Sequence, residues 1–370
     1  MPATLAVSVA AFAGWSLLLA VVPLALAQSG ASDALAGAST GVFMAATVAA
    51  QLAAPRLLRA AGYRPVLASG CALLGAPALA LLITLDPVPT LIVSAVRGIG
   101  FGLLTVTGSA LIAELSPARL LARATAAHGI AAAAPQIVAL PGGVLLAEYW
   151  SLTPVFVLGA AIPLGATLGV AFLPAVHPAP LPMGDRSRML PMAAMAVPLV
   201  AMAVTSAAFG GLSSLLTIAT EGTAAAAVLA LAVQGLATVA GRYWAGALAA
   251  RLRPGRLLLP GLAVAALGLA LVAVSLGDSV EIVGLQIGAL LFGLGFGFCQ
   301  NDSLVAIFAA AGPQRLGAAS AAWNIAFDGG TGVGSFVLGV VAAALGYVWV
   351  FGVAAAVVAA AVPITLRAWR

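Results

Sequence analysis

The stretch Gly98-Ile99-Gly100-Phe101-Gly102 recurs as Gly293-Leu294-Gly295-Phe296-Gly297, 195 residues further along the chain. Both copies lie inside apolar runs rather than between a strand and a helix. Their alternate glycines therefore read as close-packing positions of membrane helices and not as a nucleotide-binding turn. Carrying the spacing onward sets Ser116-Pro117-Ala118-Arg119 opposite Gly312-Pro313-Gln314-Arg315, within one residue. The Arg-bearing loop after the second apolar segment likewise matches Arg251-Leu252-Arg253-Pro254-Gly255-Arg256 after the eighth. The chain reads as two similar halves.

Composition agrees with a membrane setting for these glycines. Of 370 residues, 63% are hydrophobic and 7% charged, with a mean hydropathy of +1.18. Soluble domains carry about 25% charged residues. A spanning helix needs about 20 mostly apolar residues. Twelve such segments begin near Leu5, Leu35, Pro65, Thr90, Ala124, Pro154, Met189, Thr223, Leu257, Val280, Ala318 and Tyr347. The first resembles a signal peptide at Ala25-Leu26-Ala27 but has no basic n-region, the first Arg being Arg56, so it reads as the first spanning helix. The expected fold is all-α, twelve transmembrane helices in two six-helix bundles. The polar break around Pro174, Pro178, Pro180, Pro182, His177, Asp185, Arg186 and Arg188 marks a linker. It divides the chain into halves at 1–175 and 189–370, joined by 176–188.

The arginines orient the spans. With both termini inside, cytoplasmic segments hold Arg56, Arg59, Arg64, Arg119, Arg123, Arg186, Arg188, Arg251, Arg253, Arg256, Arg315, Arg367 and Arg370. The opposite loops hold no Arg and carry Asp33, Asp86, Glu148, Glu221, Asp278 and Glu281. That asymmetry is the positive-inside signal, and it predicts cytoplasmic termini in a cell membrane. Trp150, Trp349 and Trp369 fall near membrane faces as interfacial anchors.

Several function classes drop out. The net charge of +5 comes from arginines scattered singly, which make no nucleic-acid stripe. The chain has no Lys and hence no phosphate-binding lysine for ATP. Cys71 and Cys299, both in apolar runs, suggest no disulfide framework, and no His, Cys or Glu pair has metal spacing. No cofactor is expected.

Charged groups in the apolar spans need a reason, because each costs about 2.5–3.5 kcal/mol to insert. They are Arg97, Asp302 and Asp328, one positive against two negative. If Arg97 pairs with one aspartate, the other lacks a counter-charge and can take up and release a proton. Asp302 has polar company in Gln300, Asn301 and Ser303; Asp328 lies in Phe327-Asp328-Gly329-Gly330. His128 occupies the repeat position of Trp323, beside Asn324, and is a further proton-relay candidate. Each of these could equally serve packing.

At this point the chain resembles the major facilitator superfamily over essentially its whole length. Gly246-Ala247-Leu248-Ala249-Ala250-Arg251 is similar to the family's loop motif Gly-x-Leu-Ala-Asp-Arg, with Ala250 in place of the acid that helps latch the inner gate. The first-half copy, Ala50-Gln51-Leu52-Ala53-Ala54-Pro55-Arg56, lacks that acid too. Arg97 followed by Gly100 and Gly102 resembles the family's fourth-helix motif, and Ala113-Glu114-Leu115-Ser116-Pro117 resembles its exit. Pro135 and Pro141-Gly142-Gly143 weakly resemble the antiporter motif Gly-Pro-x-x-Gly-Gly, with Ala134 in place of its first Gly. The resemblance implies a carrier, not an enzyme, whose first, fourth, seventh and tenth helices line the cavity. Trp15, Ser16, Phe209, Ser213 and Thr217 become cavity candidates by helix number, with Arg97, Gln300, Asn301, Trp323 and Asn324. Arg56 and Arg251 belong to the gating loops, and Glu114 to an inner-gate ion pair with Arg119 and Arg123.

The resulting expectation is a monomeric, proton-coupled exporter of a small amphipathic or drug-like molecule. A second reading keeps the fold as an importer or facilitator of a sugar or organic anion. A third makes Asp302 and Asp328 the acids of an intramembrane hydrolase. If Asp302 titrates, Asp302→Asn leaves the fold intact and abolishes proton-driven transport.

Overall fold

A computed structural model describes residues 2–116, 121–173, 176, 190–221, 223–249, 251–277, 279–312 and 315–368. Arg119, Ala250, Trp369 and, apart from Val176, the expected linker lie outside the described residues. The described chain is almost wholly helical. Its α-helices are α1 (Pro2–Leu19), α2 (Val21–Gln28), α3 (Asp33–Ala61), α4 (Tyr63–Gly75), α5 (Pro87–Leu115), α6 (Leu121–Tyr149), α7 (Leu152–Val170), α8 (Met192–Ala219), α9 (Ala224–Ala249), α10 (Leu258–Val274), α11 (Ile282–Ala311), α12 (Leu316–Leu345) and α13 (Tyr347–Ala368). A 3₁₀ segment, Ala76–Leu82, continues α4. Helices are what an Ala- and Leu-rich apolar chain forms where no water can satisfy the backbone.

Among the described residues, eleven spans are long and apolar enough to cross a membrane. Two of them are composite, each for a stated reason. Pro23 has no N–H to give the carbonyl four residues back, Leu19, and α1 ends there before α2 resumes. Pro77 likewise interrupts the α-helical pattern after α4, and the seven residues Ala76–Leu82, Pro77 among them, tighten into 3₁₀ geometry. At about 2.0 Å rise per residue against 1.5 Å for the α-helix, the tighter turns stretch this 20-residue span toward the roughly 30 Å of a hydrocarbon core. The ninth expected span, α10, has only 17 residues. It stops short because Leu276 turns into an antiparallel bridge with Val280, and Glu281 then caps α11 by accepting from the Val283 and Gly284 amides.

Two compact units are distinguished, Met1–Ala31 with Val42–Pro182, and Ser32–Gly41 with Met183–Arg370. The helix α3 contributes to both, its first turns to the second unit and the rest to the first.

The paired glycine motifs explain how each unit packs. In the first unit a Cβ on Gly98 or Gly102 would overlap the carbonyls of Phe43 or Thr47 on α3. One on Gly100 would overlap Gly70 and Leu74 on α4. Residues i and i+4 share a helix face and i+2 lies nearly opposite, so one pentapeptide seats α5 between two neighbours. The second unit repeats the arrangement. Gly293 and Gly297 press on the Gln234 and Thr238 carbonyls of α9, and Gly295 on Gly261 and Ala265 of α10. The contacted residues are themselves repeat pairs, each 191 residues apart. The Thr47 hydroxyl adds a hydrogen bond to the Gly98 carbonyl at 3.0 Å.

A second small-residue seam joins α8 to α12. Gly330 meets Ala203 and Ser206, Gly334 meets Ala207, and Gly210 meets Thr331. The thiols of Cys71 in α4 and Cys299 in α11 are both buried in helix packing.

Candidate functional site

In the first unit an aromatic cluster forms where α1 crosses α5. Trp15 stacks on Phe101 with centroids 4.9 Å apart and planes at 23°. Phe12 meets both rings edge-on, at 6.1 and 5.2 Å, and Phe43 of α3 lies 5.7 Å from Phe101. One turn before Phe101 stands Arg97, 3% exposed. Its Nε donates to the Leu74 carbonyl at 3.1 Å and its Nη2 to the Gly14 carbonyl at 3.4 Å, while Cζ lies 5.6 Å from the centre of the Phe43 ring. The guanidinium therefore ties α5 to α4 and α1 through main-chain oxygens and a π-face, rather than through an aspartate. The Trp15 indole nitrogen and the Ser16 hydroxyl are buried and have no hydrogen-bond partner among the described residues. His128 projects from α6 to within 3.3 Å of Ser8 Oγ on α1.

The second unit holds the counterpart of this cluster, enlarged. Phe209 stacks on Phe296 at 5.1 Å and 16°. These two occupy the repeat positions of Trp15 and Phe101, 194 and 195 residues on. Phe292 extends the stack at 5.6 Å and 9°, Phe327 joins it at 6.3 Å from Phe296, and Trp323 lies flat on Phe327 at 5.8 Å and 6°. The Trp323 Nε1–H donates to Ser303 Oγ at 2.8 Å, which satisfies the indole's polar edge and leaves its faces for stacking. Phe292, Phe296 and Phe327 were not among the sequence candidates. The Phe within each Gly-Phe-Gly and the four-residue spacings Phe292–Phe296 and Trp323–Phe327 are the signals that point to them.

The polar candidates on α11 point three ways. Ser303 faces the aromatic stack, Gln300 accepts from Arg242 Nη1 of α9 at 3.1 Å, and Asp302 faces α10. The Asp302 carboxylate accepts from the Gly255 amide at 3.1 Å and the Leu257 amide at 2.7 Å. It thus holds main-chain amides of the loop between α9 and α10, up to the residue that precedes α10. Asn301, next to it, is half-buried.

On α12, Asn324 donates to the Ser320 carbonyl at 2.9 Å, within its own helix. Asp328, 3% exposed, follows one turn later, and Thr331 and Ser335 extend the same polar face. Ser335 Oγ donates to the Gly37 carbonyl at 3.1 Å and lies 2.9 Å from Ser214 Oγ, which is 2.9 Å from Thr40 Oγ1. Ser213 and Thr217 of α8, one turn apart, keep buried hydroxyls with no partner among the described residues.

The gating candidates separate. Arg56, Glu114 and Arg251 are exposed. Arg119 and the Arg123 side chain lie outside the described residues, and with them the expected ion pair to Glu114.

Most of the chain is matched by a family model. Residues 4–331 fit the Major Facilitator Superfamily. The chain belongs to that superfamily. Solved structures agree in fold. The nucleoside transporter NupG matches with a TM-score of 0.74 at 14% identity, over 100% of both chains. A D-xylose–proton symporter gives 0.75 at 15% identity, covering 100% of this chain and 96% of the other. The peptide transporter POT gives 0.79 at 14% identity, with 99% and 93% covered. A comparison with curated proteins finds no match. At these identities the structural likeness carries the fold alone. Membership of the superfamily makes the protein a multi-pass membrane transporter, not an enzyme, and the hydrolase reading of Asp302 and Asp328 is set aside.

Proposed function

We propose that this superfamily member exports a small, flat, amphipathic molecule in exchange for protons by alternating access. The observation that carries the reading is the aromatic stack of Phe292, Phe296, Phe209, Phe327 and Trp323, with its smaller counterpart at Phe12, Trp15 and Phe101. Aromatic faces with few polar groups beside them select apolar or cationic planar molecules by burial, stacking and cation–π attraction. Asn324 and the unpartnered hydroxyls of Ser213 and Thr217 supply orienting hydrogen bonds. Arg97 is engaged by carbonyls, which speaks against an organic anion as cargo, and a sugar would meet too few polar side chains.

Proton coupling we assign to Asp328, a buried carboxyl within a membrane helix, where an acid that serves no transport step is rare. Asp302 we assign instead to holding the α9–α10 loop. One protein of similar fold is a D-xylose–proton symporter. The transporter works as a monomer in the cell membrane, its two six-helix halves joined through 176–188, and it needs no cofactor.

The test is proton movement in proteoliposomes loaded with a pH-sensitive dye and challenged with planar drugs, nucleosides, sugars and organic anions. Planar amphipathic compounds should trigger proton flux, and Asp328→Asn should reduce it at least tenfold. Uptake of a labelled solute with no proton signal would overturn the exchange mechanism.

A further inference from the structure

We propose that Ser8 is the positioning residue of a proton-exchanging imidazole, His128, and that it leaves ring nitrogen Nε2 as the atom that takes the proton. The inference deepens the proton coupling proposed above and rests on it. Ser8 Oγ donates to the Thr4 carbonyl at 3.1 Å, as serines in helices do, and lies 3.3 Å from His128 Nδ1. A hydroxyl has one hydrogen. The single Ser8 hydrogen can reach two acceptors, the Thr4 carbonyl at 3.1 Å and His128 Nδ1 at 3.3 Å; we assign it to the nearer carbonyl, which leaves the Ser8 oxygen to accept from the ring and puts the N–H on Nδ1. A neutral imidazole has a single N–H, so Nε2 keeps its lone pair, and among the described residues no protein group bonds to it.

The surroundings suit proton transfer. Gly108 of α5 lies against the pair, where a Cβ would stand at ordinary contact distance, 3.5 Å from His128 Cε1 and 3.4 Å from Ser8 Oγ. A small, mostly apolar pocket reaches Ser8 and Gly108 from the α1 side, with Thr4 and Phe12 also on its wall. The Thr4 hydroxyl on its wall is buried without a hydrogen-bond partner among the described residues, a polar group that an entering water would satisfy. Of the elements packed on α6, helices α1, α2 and α7 carry no charged residue, and α5 brings Arg97 and Glu114. Arg97 is bonded elsewhere, and Glu114 stands six residues beyond Gly108, roughly 9 Å along the helix. On α6 itself the charged residues are Arg123 and Glu148.

The other repeat builds the same contact from groups that do not titrate. Trp323, the counterpart of His128, donates to Ser303, the counterpart of Gly108, and Ser303 Oγ lies 3.7 Å from the sulfur of Met202, the counterpart of Ser8. In the first unit the hydroxyl has moved from the α11 position to the α1 position and an imidazole has replaced the indole.

The protein has two histidines, so His177→Gln leaves one ¹⁵N-histidine signal to follow in nanodiscs. Neutral His128 should be mainly the Nδ1–H tautomer. Ser8→Ala should make that the minor form, and Ser8→Thr, which keeps a hydroxyl, should restore it. In proteoliposomes Ser8→Ala should lower substrate-triggered proton flux several-fold and Ser8→Thr should retain it. A dominant Nε2–H tautomer in the wild type, or a tautomer unchanged in Ser8→Ala, overturns the assignment of Ser8. Wild type that moves solute without protons overturns the coupling reading and the exchange role of His128, whereas the tautomer result still decides what Ser8 does.

Discussion

Two aspartates on neighbouring helices of one unit have different surroundings, and the difference can be measured. Asp302 receives two main-chain amides, and replacing one carboxylate oxygen by an amide N–H₂ leaves a buried backbone N–H without its acceptor. Such a group costs about 1–3 kcal/mol. Asp302→Asn should therefore lower the thermal unfolding midpoint in detergent while the protein that remains folded keeps its proton flux. The opposite result, an unchanged midpoint with flux abolished, would return Asp302 to the coupling role. The sequence located this acid within a membrane helix but not its work. Its partners are amides of a loop 45 and 47 residues earlier, and main-chain donors leave no mark in a residue pattern. Arg97 was hidden in the same way, its partners being the carbonyls of Gly14 and Leu74.

The seating of the helices is a matter of which glycine meets which neighbour. Gly100→Ala and Gly295→Ala put a methyl group against backbone atoms of α4 and α10, which cannot swing aside as a side chain can. Each should destabilise by about 1–3 kcal/mol, read as a lower unfolding midpoint. Gly142→Ala is the control, because a Cβ there meets nothing within 4 Å. It should hold the midpoint or raise it slightly, Ala being the better helix former. That alternate glycines pack helices was legible from the paired pentapeptides. Which neighbour each one touches was not, because helices that are apolar all round have no polar face to reveal their rotation. Nor did hydropathy show that α10 would stop at 17 residues, since the Leu276–Val280 bridge and the Glu281 cap depend on a pairing across a turn.

At the scale of the whole chain, the succession of apolar helices and their repeat were readable because bilayer thickness sets the length of a spanning segment, the 17-residue α10 excepted, and duplication fixes the spacing of the motifs. Orientation is the consequence of that succession which awaits measurement. If the arginine-bearing loops lie in the cytoplasm, a cysteine at exposed Arg253 should resist a membrane-impermeant maleimide in intact cells, and one at exposed Ser29 should react. The reverse pattern would invert the topology. The burial of Cys71 and Cys299 gives this experiment its background. Both thiols are enclosed by helix packing, and the chain has no lysine to compete for a reagent that strays to amines. The unaltered protein is in effect blank to such reagents. A single introduced thiol can then serve as a reporter of exposure through the transport cycle, with no need to strip the native cysteines and disturb the packing they complete.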